Sequence, residues 1–224
     1  MRTVIRRRSA RCGRLAAVVV GSLLLGATGC GGDDEAPADK DVAGTELCGG
    51  KAVSAEASKA LEVIAGSSRF EASEEKYTVA QTASDLVETW PRTTVGRDIA
   101  CRIFTSGSPR VQIIITWGVG DGPPTGALGP RFTVLKMGER TLVAADKASV
   151  HFACRSDRLP TARKTAHTLI GVERWSMPKV PEGDVEALKD AYVTVAHSFS
   201  QAMAKELRCE KNGGLPVRPV LDPG

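Results

Sequence analysis

From residue 99 a series of short apolar runs takes the two-residue period of strands, whereas residues 54–90 ahead of them and 181–209 behind them repeat at every third or fourth position. A period of two belongs to strands and one near 3.6 to helices, so the change of period divides the chain into helix, sheet and helix. Within the central stretch IACRIFT and RVQIIITWG are separated by SGSP and read as a hairpin. FTVLKMG and RTLVAAD form a second hairpin around Gly138 and Glu139, followed at once by ASVHFACRS; after the polar DRLPTARKT comes AHTLIGVERWS. Ahead of the sheet, SAEASKALEVIAG places Ala57, Leu61 and Ile64 on one face between an N-cap at Ser54 and a stop at Gly66. A second short helix carries Val79, Ala83, Leu86, Val87 and Trp90 and ends at Pro91. Behind the sheet, residues 181–209 hold Val185, Leu188, Tyr192, Val195, Phe199, Ala202 and Met203 on one stripe, the mark of a long amphipathic helix. Glu182 and Asp184 near its start and Lys205 and Arg208 near its end suit the helix dipole. The expected class is α+β: a largely antiparallel sheet of about five to six strands, an N-terminal helical segment, and a long C-terminal helix packed on the sheet.

The first forty residues belong to a different kind of chain. MRTVIRRRSARCGR holds six arginines and no acid, and Leu15 to Ala27 is a short apolar run. That run is too short for the roughly 20 residues of a membrane-spanning helix and has the length of an export signal. It closes on Ala27, Thr28, Gly29 and Cys30, which resembles the lipobox of bacterial lipoproteins, with alanine where leucine is usual. The resemblance implies cleavage before Cys30 and a diacylglyceryl group on its thiol. The expected organisation is a signal peptide over 1–29, a lipidated Cys30 with an acidic flexible tether over 30–46, one domain over 47–210 and a flexible tail over 211–224. Arg6, Arg7 and Arg8 leave twin-arginine export open beside the general route, since the apolar pair expected after the arginines is missing.

Export gives the cysteines their reading. With Cys12 in the signal and Cys30 lipidated, Cys48, Cys101, Cys154 and Cys209 remain, an even number suited to two disulfides. Ala-Cys-Arg occurs in both IACRIFT and HFACRSD, each placing a cysteine within a strand, while Cys48 precedes the first helix and Cys209 ends the last. This favours Cys48 with Cys101 and Cys154 with Cys209; the nested pairing of Cys101 with Cys154 and Cys48 with Cys209 stays open. Structural zinc wants paired cysteines a few residues apart, which these are not, so no metal or cofactor is expected.

Function is less legible. Without the six signal arginines the acids outnumber the bases by two, and only 4% of residues are aromatic, which argues against a nucleic-acid partner. His151, His167 and His197 lack metal-ligand spacing; His151 reads as structural and His197, off the apolar stripe, as solvated. No G-x-S-x-G occurs, and no catalytic residue is assigned. The glycine-rich stretch GVGDGPPTGALGPR, residues 118–131, directly follows Trp117 and is the candidate binding loop, with Trp117, Gly118, Gly120, Asp121 and Gly122 at its start. The layout as a whole resembles small uncharacterised lipoproteins of actinobacteria. The resemblance implies a lipid-anchored protein on the extracytoplasmic face of the cell membrane. The expected function is a binding or accessory module for a membrane or secreted protein partner or a small ligand. A cell-envelope hydrolase with a site gathered from distant residues, and a purely structural envelope protein, are the alternatives.

Overall fold

The computed structural model describes residues 41–90, 97–120, 122–126, 128–159 and 165–223. Residues 1–40, with the expected signal peptide, Cys30 and most of the tether, lie outside the described residues, as does Asp121.

Two short helices come first, α1 (Ala55–Ala65) and α2 (Val79–Thr89). Ser54 caps α1 by accepting from the Ala57 N–H, and Gly66 ends it with a φ of 69°. Thr78 caps α2 in the same way through the Gln81 N–H. Six strands follow: β1 (Asp98–Phe104), β2 (Gln112–Gly120), β3 (Thr133–Leu135), β4 (Arg140–Ala144), β5 (Lys147–Cys154) and β6 (Ala166–Arg174). They form one sheet in the order β1-β2-β6-β5-β4-β3, antiparallel at every pairing. The long helix α3 (Val185–Glu206) follows, with Asp184 as its N-cap. The class is α+β with an antiparallel sheet and terminal helices, as the change of period implies.

All three helices lie on one face of the sheet. α3 packs on β4, β5 and β6, with α1 and α2 against α3. The strands meet them with Ile113, Ile115, Trp117 and Val119 from β2, Val150 and Phe152 from β5, and Ile170 and Val172 from β6, every one buried. Arg174, at the end of β6, reaches under α1 and donates from Nη1 to the Ile64 carbonyl at 3.2 Å, meeting one of the acceptors that a helix end leaves open.

Disulfides join Cys48 to Cys101 and Cys154 to Cys209, with Cα separations of 5.8 and 4.9 Å. One ties the turn before α1 to β1, the other ties β5 to the end of α3, so each fastens a helical segment to the sheet. Two such bridges belong to an oxidising, extracytoplasmic compartment. No described helix is long and apolar enough to cross a membrane.

Both domain limits differ from expectation. The folded part begins before residue 47: Val42 donates its N–H to the Phe70 carbonyl at 2.9 Å, and Gly44–Gly49 form a 3-10 turn. Composition hides this, because the pairing is made by backbone and uses one apolar residue. At the other end, residues 210–216 are no loose tail. Glu210 donates its N–H to the Arg155 carbonyl at 2.9 Å, and a tight turn over Glu210–Gly214 seats Gly213 on the ring of Phe152. A Cβ on Gly213 would stand 2.6 Å from Phe152 Cδ2 at a φ of +68°, so here a glycine serves docking and not looseness.

Candidate functional site

The sheet's second face carries no helix. The register assigns it two central rows: Arg140, His151, Leu169 and Gly118 across β4, β5, β6 and β2, then Leu142, Ser149, Gly171 and Thr116 across the same strands. Thr116, Ser149 and Gly171 are small, and the second of these rows therefore floors a shallow trough. Gly171 is held to that size, since a Cβ there would stand 2.6 Å from Thr116 Oγ1. The trough is a cavity of about 190 Å³ lined by Arg97, Thr116, Arg131, Phe132, Ser149 and Gly171, among others.

The glycine-rich connection is explained by strand order. β2 is second and β3 is sixth, so the chain must pass β6, β5 and β4, about 19 Å at the usual strand spacing. It passes the uncovered face: Arg140 donates to the Pro124 carbonyl, and Arg131 and Phe132 at its far end line the cavity with Thr116 and Ser149. The expected loop start is corrected. Trp117, Gly118 and Gly120 belong to β2, where Trp117 pairs with Ile170, Gly118 with Leu169 and Gly120 with His167. Trp117 is 2% exposed and lies on the helix-covered face, away from the trough. The glycines read as a turn signal, but a strand takes glycine where close packing or an open face requires it. Gly122 is in the connection, with a φ of 136°.

The rim is cationic. Lys147 pairs with Glu173 at 2.7 Å, and Arg131 with the almost buried Asp146 at 3.4 Å. Among the described residues Arg97 makes no ion pair, and Arg140 makes none either and donates to the Pro124 carbonyl. His151 is 8% exposed and directly opposite Arg140. Burial, and then the charges of Arg97 and Arg140, push its pKa down to about 4, so the imidazole is neutral at physiological pH. His167, two positions before Leu169 on the same face, bonds through Nδ1 to Glu139, 2.9 Å from each carboxylate oxygen. The two histidines thus share a face, which spacing along the chain does not reveal.

His197 is corrected from solvated to buried. It is 5% exposed and its Nε2 lies 2.8 Å from the Pro216 carbonyl; burial lowers its pKa, against the effect of that bond. The docked 210–216 segment, absent from any reading of the helix alone, covers it. A second, open groove of about 470 Å³ runs between the entry to α1 and the end of α3, with Lys51, Lys205 and Arg208 among its lining. Lys205 and Arg208 there face the carbonyl end of α3, where cations are favoured without a ligand. Among the described residues no group of three or more His, Cys, Asp or Glu side chains is placed to hold a metal ion.

The cationic trough went unseen in the sequence because its members come from four strands and two connections. The available signal was the polar phase of each strand: Arg140, Lys147, His151 and Glu173 occupy the positions that alternate with buried aliphatics. Compared with protein-family models, curated proteins and solved structures, the chain has no match among any of them.

Proposed function

We propose that this protein is a lipid-anchored binding or accessory module on the outer face of the cytoplasmic membrane, presenting the uncovered sheet face to a ligand or partner. The observation that carries the reading is the cationic trough: a sheet face left without helices, crossed by a long connection and rimmed by two guanidinium groups without a carboxylate partner among the described residues. The disulfides support the compartment, and the short apolar run ending at Cys30, followed by an acidic tract, supports the anchor. A photo-crosslinking side chain at Ser149 of the full-length chain in its native membrane, against one at the exposed Val63 on α1, tests it. The expected result is an adduct specific to position 149, lost when Cys30→Ala releases the protein, and a diacylated Cys30 as the mature N-terminus. Equal labelling from the two positions, or an N-terminus elsewhere, would overturn the proposal.

A further inference from the structure

We infer that the trough is a receptor for a phosphoryl group on a small ligand, bound between Arg97 and Arg140 over Thr116 and Ser149. This rests on the reading of the uncovered face as the binding surface and goes on to name what it binds. Arg97, Arg131 and Lys147 line the cavity together with the Glu173 carboxylate, and Arg140 stands in the next row of the same face; Lys147 is matched by Glu173 and Arg131 by Asp146. The remaining two come from opposite sides. Arg140 is on β4, directly across from His151, and Arg97 precedes the edge strand β1. Glycine at 171 keeps the floor between them low, and both guanidinium groups act on the same imidazole.

Gathering two cations without a carboxylate partner among the described residues on one part of a face is repulsive, and an anion supplies the countercharge. The lining offers the Arg97 fork and the hydroxyls of Thr116 and Ser149, which make no hydrogen bond among the described residues, and the next row of the face adds the Arg140 fork and the neutral His151. Donors spread in this way suit the tetrahedral oxygens of a phosphoryl group better than the single plane of a carboxylate. The volume, about 190 Å³, limits the ligand to a phosphoryl group with a small substituent, with Phe132 as an apolar wall. A free phosphoester and a lipid headgroup share this chemistry.

Calorimetric titration of the full-length chain in a neutral detergent with inorganic phosphate tests the inference. Saturable uptake of one phosphate per chain is expected, weakened at least tenfold in Arg97→Gln and in Arg140→Gln and unchanged in Lys205→Gln, which alters the other groove. Arg97→Lys should recover only part of the loss, because lysine keeps the charge and lacks the fork. A thermal melt of each variant separates lost binding from lost folding. Parallel titrations with glycerol 3-phosphate, and with phosphatidylglycerol against phosphatidylcholine vesicles, distinguish a soluble ester from a headgroup. The arginine dependence must appear in whichever arm binds. No saturable uptake in any arm, or an equal loss in Lys205→Gln, overturns the inference. If phosphate fails while crosslinking at Ser149 remains specific, the binding-module reading stands and only the ligand class falls.

Discussion

The strands β2, β5 and β6 present Ile113, Ile115, Trp117, Val150, Phe152 and Ile170 to the helices, and Thr116, Gly118, Ser149, His151 and Gly171 to the other side. One face consists of large aliphatic and aromatic groups that fill the space under α3. The other mixes Ile114, Leu142 and Leu169 with small and polar groups that leave space along its middle. Stability is concentrated on the first, and charge without an ion-pair partner among the described residues on the second, so a substitution on one face should move a quantity that its counterpart on the other leaves nearly alone.

The largest contrast is expected between neighbours. Phe152 is fully buried under α3 and against Gly213. Phe152→Ala should cost about 4 kcal/mol in urea unfolding, from lost burial and the cavity left behind. Leu169 of the adjacent strand, half-buried on the other face, should cost roughly a third of that when cut to alanine. Similar losses from the two would mean that the uncovered face is packed as a second core, and the comparison would break.

His151 belongs to the second face yet is expected to influence stability through pH. Its pKa is about 4 when folded, against an ordinary 6.5. Below 6.5 the unfolded chain takes up a proton that the folded chain refuses, so stability falls as pH drops from 6.5 toward 4, by roughly 3 kcal/mol at most. Burial also lowers the pKa of His197, which adds to the loss in the same direction. The part due to His151 is therefore the difference between wild type and His151→Gln, measured by urea unfolding at pH 7.5 and pH 4.5. A variant as acid-sensitive as the wild type would show that His151 carries no such burden.

How far each face was legible follows from what period and composition record. Burial on the helix side leaves a period, so Ala57, Leu61 and Ile64 on α1, and Leu188, Tyr192, Val195 and Phe199 on α3, could be placed in the core from spacing alone. Cys154 and Cys209 paired as local context favoured, because one ends a strand and the other ends the helix lying over it. The trough depends on strand order, and nothing local encodes that β6 lies between β2 and β5. Gly118 and Gly120 escape a local reading for the same reason: a glycine in a turn and a glycine paired within a strand look alike until the neighbouring strand is known. The docking of 210–216 is also non-local, since it depends on a ring from β5 and a carbonyl contact with His197.

That docked segment gives the next test of the helix-covered side. Gly213→Ala puts a Cβ against Phe152 at a positive φ and should cost about 2 kcal/mol, half of what removing the ring costs. Proteolysis should then reach the chain after Cys209 at lower protease concentration. If the variant melts like the wild type, the contact is incidental and the tail is as loose as its composition suggests.

The smallest effect is expected from the most regular polar contact on the uncovered face. Lys147 Nζ lies 2.7 Å from Glu173 Oε1, on paired strands, with side chains 25% and 29% exposed. Geometry alone would make it a strong bond, but both groups keep part of their hydration, and holding a lysine side chain in one conformation costs entropy. A double-mutant cycle with Lys147→Met and Glu173→Gln should therefore give a coupling below about 1 kcal/mol, shrinking further in high salt. The same pair has a second consequence. Lys147→Met frees the Glu173 carboxylate at the edge of the trough, placing a negative charge near the anion site, so phosphate affinity should fall although Lys147 itself is already matched. A change in stability without a change in affinity would place this ion pair with the packing of the covered face, and the division of labour between the two faces would fail at the point where they share a strand.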